Sequence, residues 1–181
     1  MTDKQKELSI TTFAAGCFWC IESAFNSLKG VNKALSGYMG GHIDNPTYQD
    51  ICTGESGHAE VVQITFDSNI ITYQSLVEIL FTLHDPTQLN RQGNDVGTQY
   101  RSVIFYLDDV QKLASLKMLA SQQVLFADKI VTELSPATLF YSAETYHQDY
   151  YRDNPNQPYC SIMIGPKLAK FSANYEALLT Q

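Results

Sequence analysis

The residues of this chain best suited to covalent chemistry are the cysteines at 17, 20, 52 and 160 and the glutamate at 60. Cys17 follows Gly16 at the end of a strand-like run and opens a helical pattern. At such a junction the free backbone N–H groups and the positive end of the helix dipole favour a thiolate, the nucleophilic form of cysteine. The other reading of Cys17 is a buried thiol packed beside Phe18 and Trp19. Cys20 completes a C-x-x-C with Cys17, and on a helix both sulfurs would share one face, within reach of a disulfide. That spacing is compatible with a thiol–disulfide oxidoreductase or with half of a zinc site. Zinc fits poorly, because Cys52 and Cys160 stand alone and no H-x₃₋₅-H occurs. Glu60 has the parity of Val62, Ile64 and Phe66 on an alternating strand, which points its carboxyl toward the apolar face unless it lies at the strand edge and turns to solvent. A carboxyl on that face either pairs with a cation or keeps its proton, and a protonated Glu can donate near neutral pH.

These residues need elements to position them. Leu8–Ala15 reads as a strand, Cys17–Leu28 as a helix with Phe18, Ile21, Phe25 and Leu28 on one side, and Val31–Tyr38 as a second strand. Asn45-Pro46 starts a loop or short helix through Cys52, and Glu60–Phe66 is the third strand. Thr72 caps a helix to Leu83, and Asp108, with Gln111 three residues on, caps another to Phe126. Between them His84–Gln99 is polar and aperiodic, as an ordered binding loop would be, and Ser102–Leu107 is a strand. Ile130–Leu134 is a short strand, Ser142–Tyr151 a helix, and Asn154 onward irregular. The intermixed order, without strict βαβ alternation, predicts an α+β fold with a mixed sheet.

Composition narrows the class. With 181 residues, 44% of them hydrophobic, the chain has the size of one domain and can bury a core without staples. Its 12 basic against 19 acidic residues give −7, which argues against nucleic acid or an anionic membrane as partner. No run approaches the length of a membrane span. Phe13–Cys17 imitates a lipoprotein cleavage site, but no apolar run precedes it, so a cytoplasmic location is expected.

The motifs, taken in order, resemble the peptide methionine sulfoxide reductase family, A type. They are Gly16-Cys17-Phe18-Trp19, Gly37-Tyr38 with Gly40-Gly41, Asn45-Pro46-Thr47-Tyr48 and Gly57-His58-Ala59-Glu60. His84-Asp85-Pro86, Arg91-Gln92-Gly93-Asn94-Asp95 and Gly97 to Ser102 continue the match, and Tyr146 to Tyr150, Asn154-Pro155-Asn156 and Tyr159-Cys160 complete it. The resemblance covers about residues 10 to 170. It implies a two-layer α+β sandwich with a ferredoxin-like core and a single catalytic domain over 1–181, with 1–8 a loose tail and 153–181 an irregular segment carrying the resolving cysteine. It further implies Cys17 as nucleophile, Phe18 and Trp19 as an aromatic pocket for the substrate methyl, and Tyr48, Glu60 and Tyr100 around the sulfoxide oxygen, with Asp95 in support. Cys160 would recycle the enzyme, thioredoxin would be the reductant, and the substrate would be the S epimer of methionine sulfoxide, free or in peptides. A monomer without metal or organic cofactor is expected.

Two departures bear on recycling. Cys20 stands where the family often has glycine, and no glycine precedes Tyr159-Cys160. Cys160, in a segment that reads as free to swing, is the expected resolving thiol, with Cys20 as relay or bystander. Cys52 reads as a small buried hydrophobe. His42, His84 and His147 read as residues hydrogen-bonded to backbone, His58 as a support for the Glu60 strand, and Lys167–Lys170 as a solvated face. Two rival functions remain: a general thiol–disulfide oxidoreductase using Cys17 and Cys20, and a zinc-stapled interaction module.

Overall fold

In the computed structural model, which describes residues 7–180, every expected strand from Leu8 to Tyr106 forms, within a residue or so of its expected ends. The chain runs β1 (Leu8–Ala15), α1 (Phe18–Asn26), β2 (Val31–Met39), α2 (Tyr48–Cys52), β3 (Ala59–Asp67) and α3 (Tyr73–Leu83). It continues through a small hairpin, β4 (Arg91–Gln92) and β5 (Asp95–Val96), to β6 (Ser102–Tyr106) and α4 (Asp109–Gln123). Then come β7 (Glu133–Pro136), β8 (Tyr141–Ser142), α5 (Tyr150–Asp153) and α6 (Gly165–Tyr175). The fold is α+β. The six-stranded sheet has the order β7-β6-β1-β3-β2-β8, with β6 and β7 parallel and the other pairs antiparallel, so the sheet is mixed.

Side-chain parity divides the sheet's two faces. Phe13, Ala15, Val62, Ile64, Phe66 and Ile104 join the helices in one large core with Phe25, Leu76, Leu80 and Phe171. Ala14, Met39, Val61, Val103 and Phe105 form a smaller cluster on the opposite face, covered by Ala137 and Phe140. Helix starts follow the expected chemistry: Thr72 accepts from the Ser75 amide at 3.1 Å and Asp108 from the Gln111 amide at 2.8 Å.

Three expectations fail, each for a physical reason. Segment 142–151 is not one helix: Tyr141–Ser142 pairs with β2, Thr145–His147 makes a single 3-10 turn, and Asp149 takes a left-handed φ of 54°. The Gln148 amide supplies the competing bonds, accepting from the Ser36 N–H and donating to the carbonyls of Ser36 and Ala143. The segment after residue 153 is not irregular. A π-turn at Cys160–Ile164 leads into α6, because Ile164, Leu168 and Phe171 recur at helical spacing and bury themselves in the core. The third is the strand expected at Ile130–Leu134, which lies later, at Glu133–Pro136, because the Ile130 and Val131 amides are taken by Gln123 Oε1 and the Pro86 carbonyl and pairing with β6 begins only at Glu133. Of the expected tail, residues 1–6 lie outside the described residues, and Leu8 already pairs with Asp67 in β1.

Candidate active site

The site forms where β1 hands over to α1. Gly16 takes φ +85°, and a Cβ there would sit 2.7 Å from that of Gln92, so the turn and the neighbouring loop both require glycine. Cys17 is the residue before α1's first turn, half-buried. On β3, Glu60 holds the parity expected of it and is 2% exposed, with the Phe18 N–H donating to its Oε2 at 3.1 Å. The amide that opens α1 is thus committed to a carboxyl.

A cavity of about 150 Å³ is lined by Cys17, Phe18, Trp19, Tyr48, Glu60, Asp95, Tyr100 and Tyr159. Sequence reasoning singled out seven of these, and the fold brings them together from five separate stretches of chain. Burial raises the Glu60 carboxyl from its ordinary 4.5 to about 8; the Phe18 amide opposes the shift and the Asp95 charge adds to it. Glu60 therefore holds its proton at neutral pH. Burial also pushes the hydroxyls of Tyr48, Tyr100 and Tyr159 well above the usual tyrosine range, so all three remain donors.

Cys17 departs from the thiolate expected at a helix start. Burial raises its thiol well above 9.0 and the Glu60 charge adds to the rise, while contacts from the Tyr159 hydroxyl and the Trp19 amide pull the other way and do not win. The end of a nine-residue helix carries a partial charge, which is too small to offset the desolvation of a thiolate. At rest the site holds a neutral thiol beside a neutral carboxyl.

The other thiols lie elsewhere. Cys20 is buried and lines, with Cys17, a second cavity of about 220 Å³ that also touches Gln92, Asp95, Tyr159 and Lys167. Cys160 is 0% exposed inside the main core and lines neither cavity. Cys52 is exposed at the end of α2, not buried. Among the described residues no three His, Cys, Asp or Glu side chains converge as a metal site. His84 lies buried and neutral: Nδ1–H donates to the Leu80 carbonyl and Nε2 accepts from Ser102. Burial lowers its pKa to about 4. His58 accepts from the Gly41 amide and donates to the Ile43 carbonyl, which ties the loop after β2 to the start of β3.

Three groups around the cavity escaped sequence reasoning. Tyr159 donates to Asp95 and sits at right angles to Trp19. His147, expected to bond to backbone, instead accepts from the Trp19 indole N–H at 3.1 Å, while Tyr150 stacks on that indole at 3.9 Å. Glu144 accepts from the Tyr38 hydroxyl and from the amide of Tyr48, fixing the start of α2. The sequence offered one signal, the density of tyrosine and histidine over Tyr141–Tyr159.

Comparisons with known proteins give the chain a family. The family model for peptide methionine sulfoxide reductase matches residues 9–178. A Pasteurella multocida protein, peptide methionine sulfoxide reductase MsrA, is 52% identical over 92% of this chain and 95% of its own. The crystal structure of reduced Mxr1 from Saccharomyces cerevisiae superposes with a TM-score of 0.79 at 33% identity, covering 88% of this chain and 92% of Mxr1. Mxr1 in complex with Trx2 superposes with a TM-score of 0.55 at 24% identity, covering 83% of this chain and 88% of that one. The chain belongs to the peptide methionine sulfoxide reductase family, A type, and is an oxidoreductase of that class.

Proposed function

We propose that this enzyme reduces the S epimer of methionine sulfoxide, free or in peptides, through a sulfenic acid on Cys17. The observation that carries the reading is that Cys17 and a carboxyl protonated up to about 8 open onto one cavity walled by aromatic rings and hydroxyls. Phe18 and Trp19 enclose the methyl group. Tyr48, Tyr100 and Glu60 donate to the oxygen, where charge develops. The Cys17 sulfur bonds to the sulfoxide sulfur while Glu60 gives its proton to the oxygen, and the thiol proton replaces the one Glu60 gave. The hydroxyl then passes to the Cys17 sulfur: the substrate's S–O bond and the new S–S bond break, a Cys17 S–O bond forms, the thioether leaves with the S–S electron pair, and Cys17 is left as sulfenic acid. Asp95 acts through Tyr159, holding that ring at the cavity wall.

A second thiol then condenses with the sulfenic acid, forming a disulfide and releasing water. Cys160 is the family's choice, and it must leave the core to act. The π-turn that carries it is held at its start by Gln157, whose Oε1 accepts from the Cys160 N–H, so that bond and the burial of Cys160 are what must be given up. Cys20 is the alternative, supported by the cavity it shares with Cys17; that cavity also favours the rival reading of a general dithiol oxidoreductase. Thioredoxin returns the disulfide to thiols, supported by the yeast Mxr1–Trx2 complex. The reading takes the chain as a cytoplasmic monomer with a single catalytic domain, and the order β6-β1-β3-β2 around α1 and α3 supports a ferredoxin-like core in two layers. No step requires a metal or organic cofactor. The test is a single turnover with each sulfoxide epimer and no reductant. About one methionine per enzyme from the S epimer and none from the R epimer supports the reading; equal release, or none, overturns it.

A further inference from the structure

Glu22 is 1% exposed, and no step of the reaction uses it. Burial raises its carboxyl from the ordinary 4.5 to about 7; the Asp149 N–H bond opposes the rise and the Asp149 charge adds to it. Among the described residues no cation pairs with it. Lys33 and Arg152 line with it a hollow of about 510 Å³, but Arg152 pairs with Asp149 and Asp153. A buried carboxyl without a cation is costly, and what offsets that cost is its hydrogen bonds.

Those bonds cross from α1 to the segment that closes over it. Oε2 accepts from the Asp149 N–H at 2.8 Å and Oε1 from the Ser36 N–H at 3.4 Å. Ser36 has a second acceptor in the Gln148 side chain at 3.0 Å; among the described residues the Asp149 N–H has no other. Asp149 stands at φ +54°, in the left-handed region that a residue with a side chain rarely enters unless held there. Its own carboxylate pairs only with Arg152, a mostly exposed partner, and such a surface pair holds weakly. On either side of Asp149 are the two groups that grip Trp19. Tyr150 stacks on the indole at 3.9 Å, and His147 accepts from the indole N–H at 3.1 Å. Glu22 itself follows Trp19 by three residues on α1, so one helix supplies both the indole and the carboxyl that fixes its supports.

We propose that Glu22 is a positioning residue for the substrate pocket: by holding the Asp149 N–H it fixes the backbone that sets His147 and Tyr150 against Trp19, and so keeps the indole where it receives the sulfoxide methyl. The proposal rests on the reading above that this cavity takes the sulfoxide. With Asp149 released, Tyr150 leaves the indole face for part of the time, and apparent affinity falls by the fraction of time the pocket is unformed. The bond touches neither Cys17 nor Glu60, so affinity carries the effect and the chemical step does not.

The experiment is a single turnover without reductant, over a range of methionine S-sulfoxide, in the parent, Glu22→Met and Glu22→Gln. The emission of Trp19, the only tryptophan, is read on the same samples. Methionine keeps the volume and removes the acceptor; the expected result is a half-saturating concentration about five-fold higher or more, a shifted emission, and a rate at saturation within about three-fold of the parent. Glutamine keeps an oxygen for the Asp149 N–H and should bring half-saturation to within about two-fold of the parent and restore the emission. Parent-like half-saturation and emission in Glu22→Met overturn the proposal, even where that variant is less stable, since Glu22 is then only a brace for the fold. Equal impairment in Glu22→Gln also overturns it. A second measurement leaves Glu22 in place: coupling is reciprocal, so methionine sulfoxide bound to Cys17→Ser, which cannot consume it, should slow hydrogen exchange of the Asp149 amide by about five-fold or more. Exchange unmoved at saturating sulfoxide overturns the proposal. Absence of methionine release by the parent would instead sink the sulfoxide reductase reading.

Discussion

Replacing Glu60 with glutamine should make the protein more stable and nearly inactive. In the folded chain Glu60 keeps its proton up to about 8, whereas in the unfolded chain it ionises near 4.5. Between those values the unfolded state sheds a proton that the folded state retains, so the contribution of this residue to stability is complete below 4.5 and is lost as pH rises toward 8. At about 1.36 kcal/mol per unit the loss between pH 5 and pH 8 comes to about 3.5 kcal/mol. Glutamine has no proton to lose, and its oxygen can still accept from the Phe18 amide. Urea unfolding of both proteins at pH 5 and pH 8 should therefore show the parent losing about 3 to 4 kcal/mol more than the variant. Buried Glu22, raised to about 7, adds its own pH dependence, but equally to both proteins, and cancels in the difference. The chemical step, measured by methionine release in a single turnover at pH 7, should fall about 10²- to 10⁴-fold in the variant. If the two proteins lose stability in parallel between pH 5 and 8, Glu60 is ionised in the fold and the mechanism has no acid.

Other consequences follow from the same geometry. Trp19 is the only tryptophan, so its fluorescence isolates the pocket: His147→Leu removes the acceptor of the indole N–H, and should shift the emission and raise KM for the sulfoxide more than it lowers kcat. Cys17→Ser should release no methionine. Cys160→Ser and Cys20→Ser should each still release about one per enzyme in a single turnover, and mass mapping of the parent's disulfide, with loss of thioredoxin cycling in one variant, identifies the resolving thiol. Phe171→Ala should cost about 3 to 5 kcal/mol in chemical denaturation, since its ring fills the core beneath α6, and should speed alkylation of Cys160 by the same loosening.

What the sequence made legible was local. The parity of Glu60 with Val62, Ile64 and Phe66 placed a carboxyl on the core face because strand side chains alternate without exception unless a bulge intervenes, and the bulge in this sheet falls elsewhere, at Val31/Lys33. Thr72 and Asp108 announced their helices because capping is settled within four residues. The missed features are those decided at a distance. His147 meets Trp19 across 128 residues and Tyr159 meets Asp95 across 64, and no spacing rule spans such gaps. In 153–181 the Asn/Pro-rich opening and the Gly165-Pro166 pair concealed the period of Ile164, Leu168 and Phe171, although proline in a helix's first turn gives up no hydrogen bond. Over 142–151 a single side-chain amide, that of Gln148, outcompeted the helix the sequence suggests.

The misjudged state of Cys17 bears most on how the enzyme works. Burial holds the Cys17 thiol above the usual cysteine range, so the resting sulfur is protonated and a poor target for peroxides and alkylators. The same burial that silences it raises Glu60 to about 8 and so keeps an acid loaded beside it. A sulfoxide entering the cavity brings a partly positive sulfur to the thiol and a partly negative oxygen to the carboxyl, and each charge favours the proton shift the reaction needs. Reactivity then depends on the substrate's own dipole rather than on a standing thiolate. That selectivity is what an enzyme working among oxidants requires of its nucleophile, and it follows from placing both groups under the first turn of one short helix.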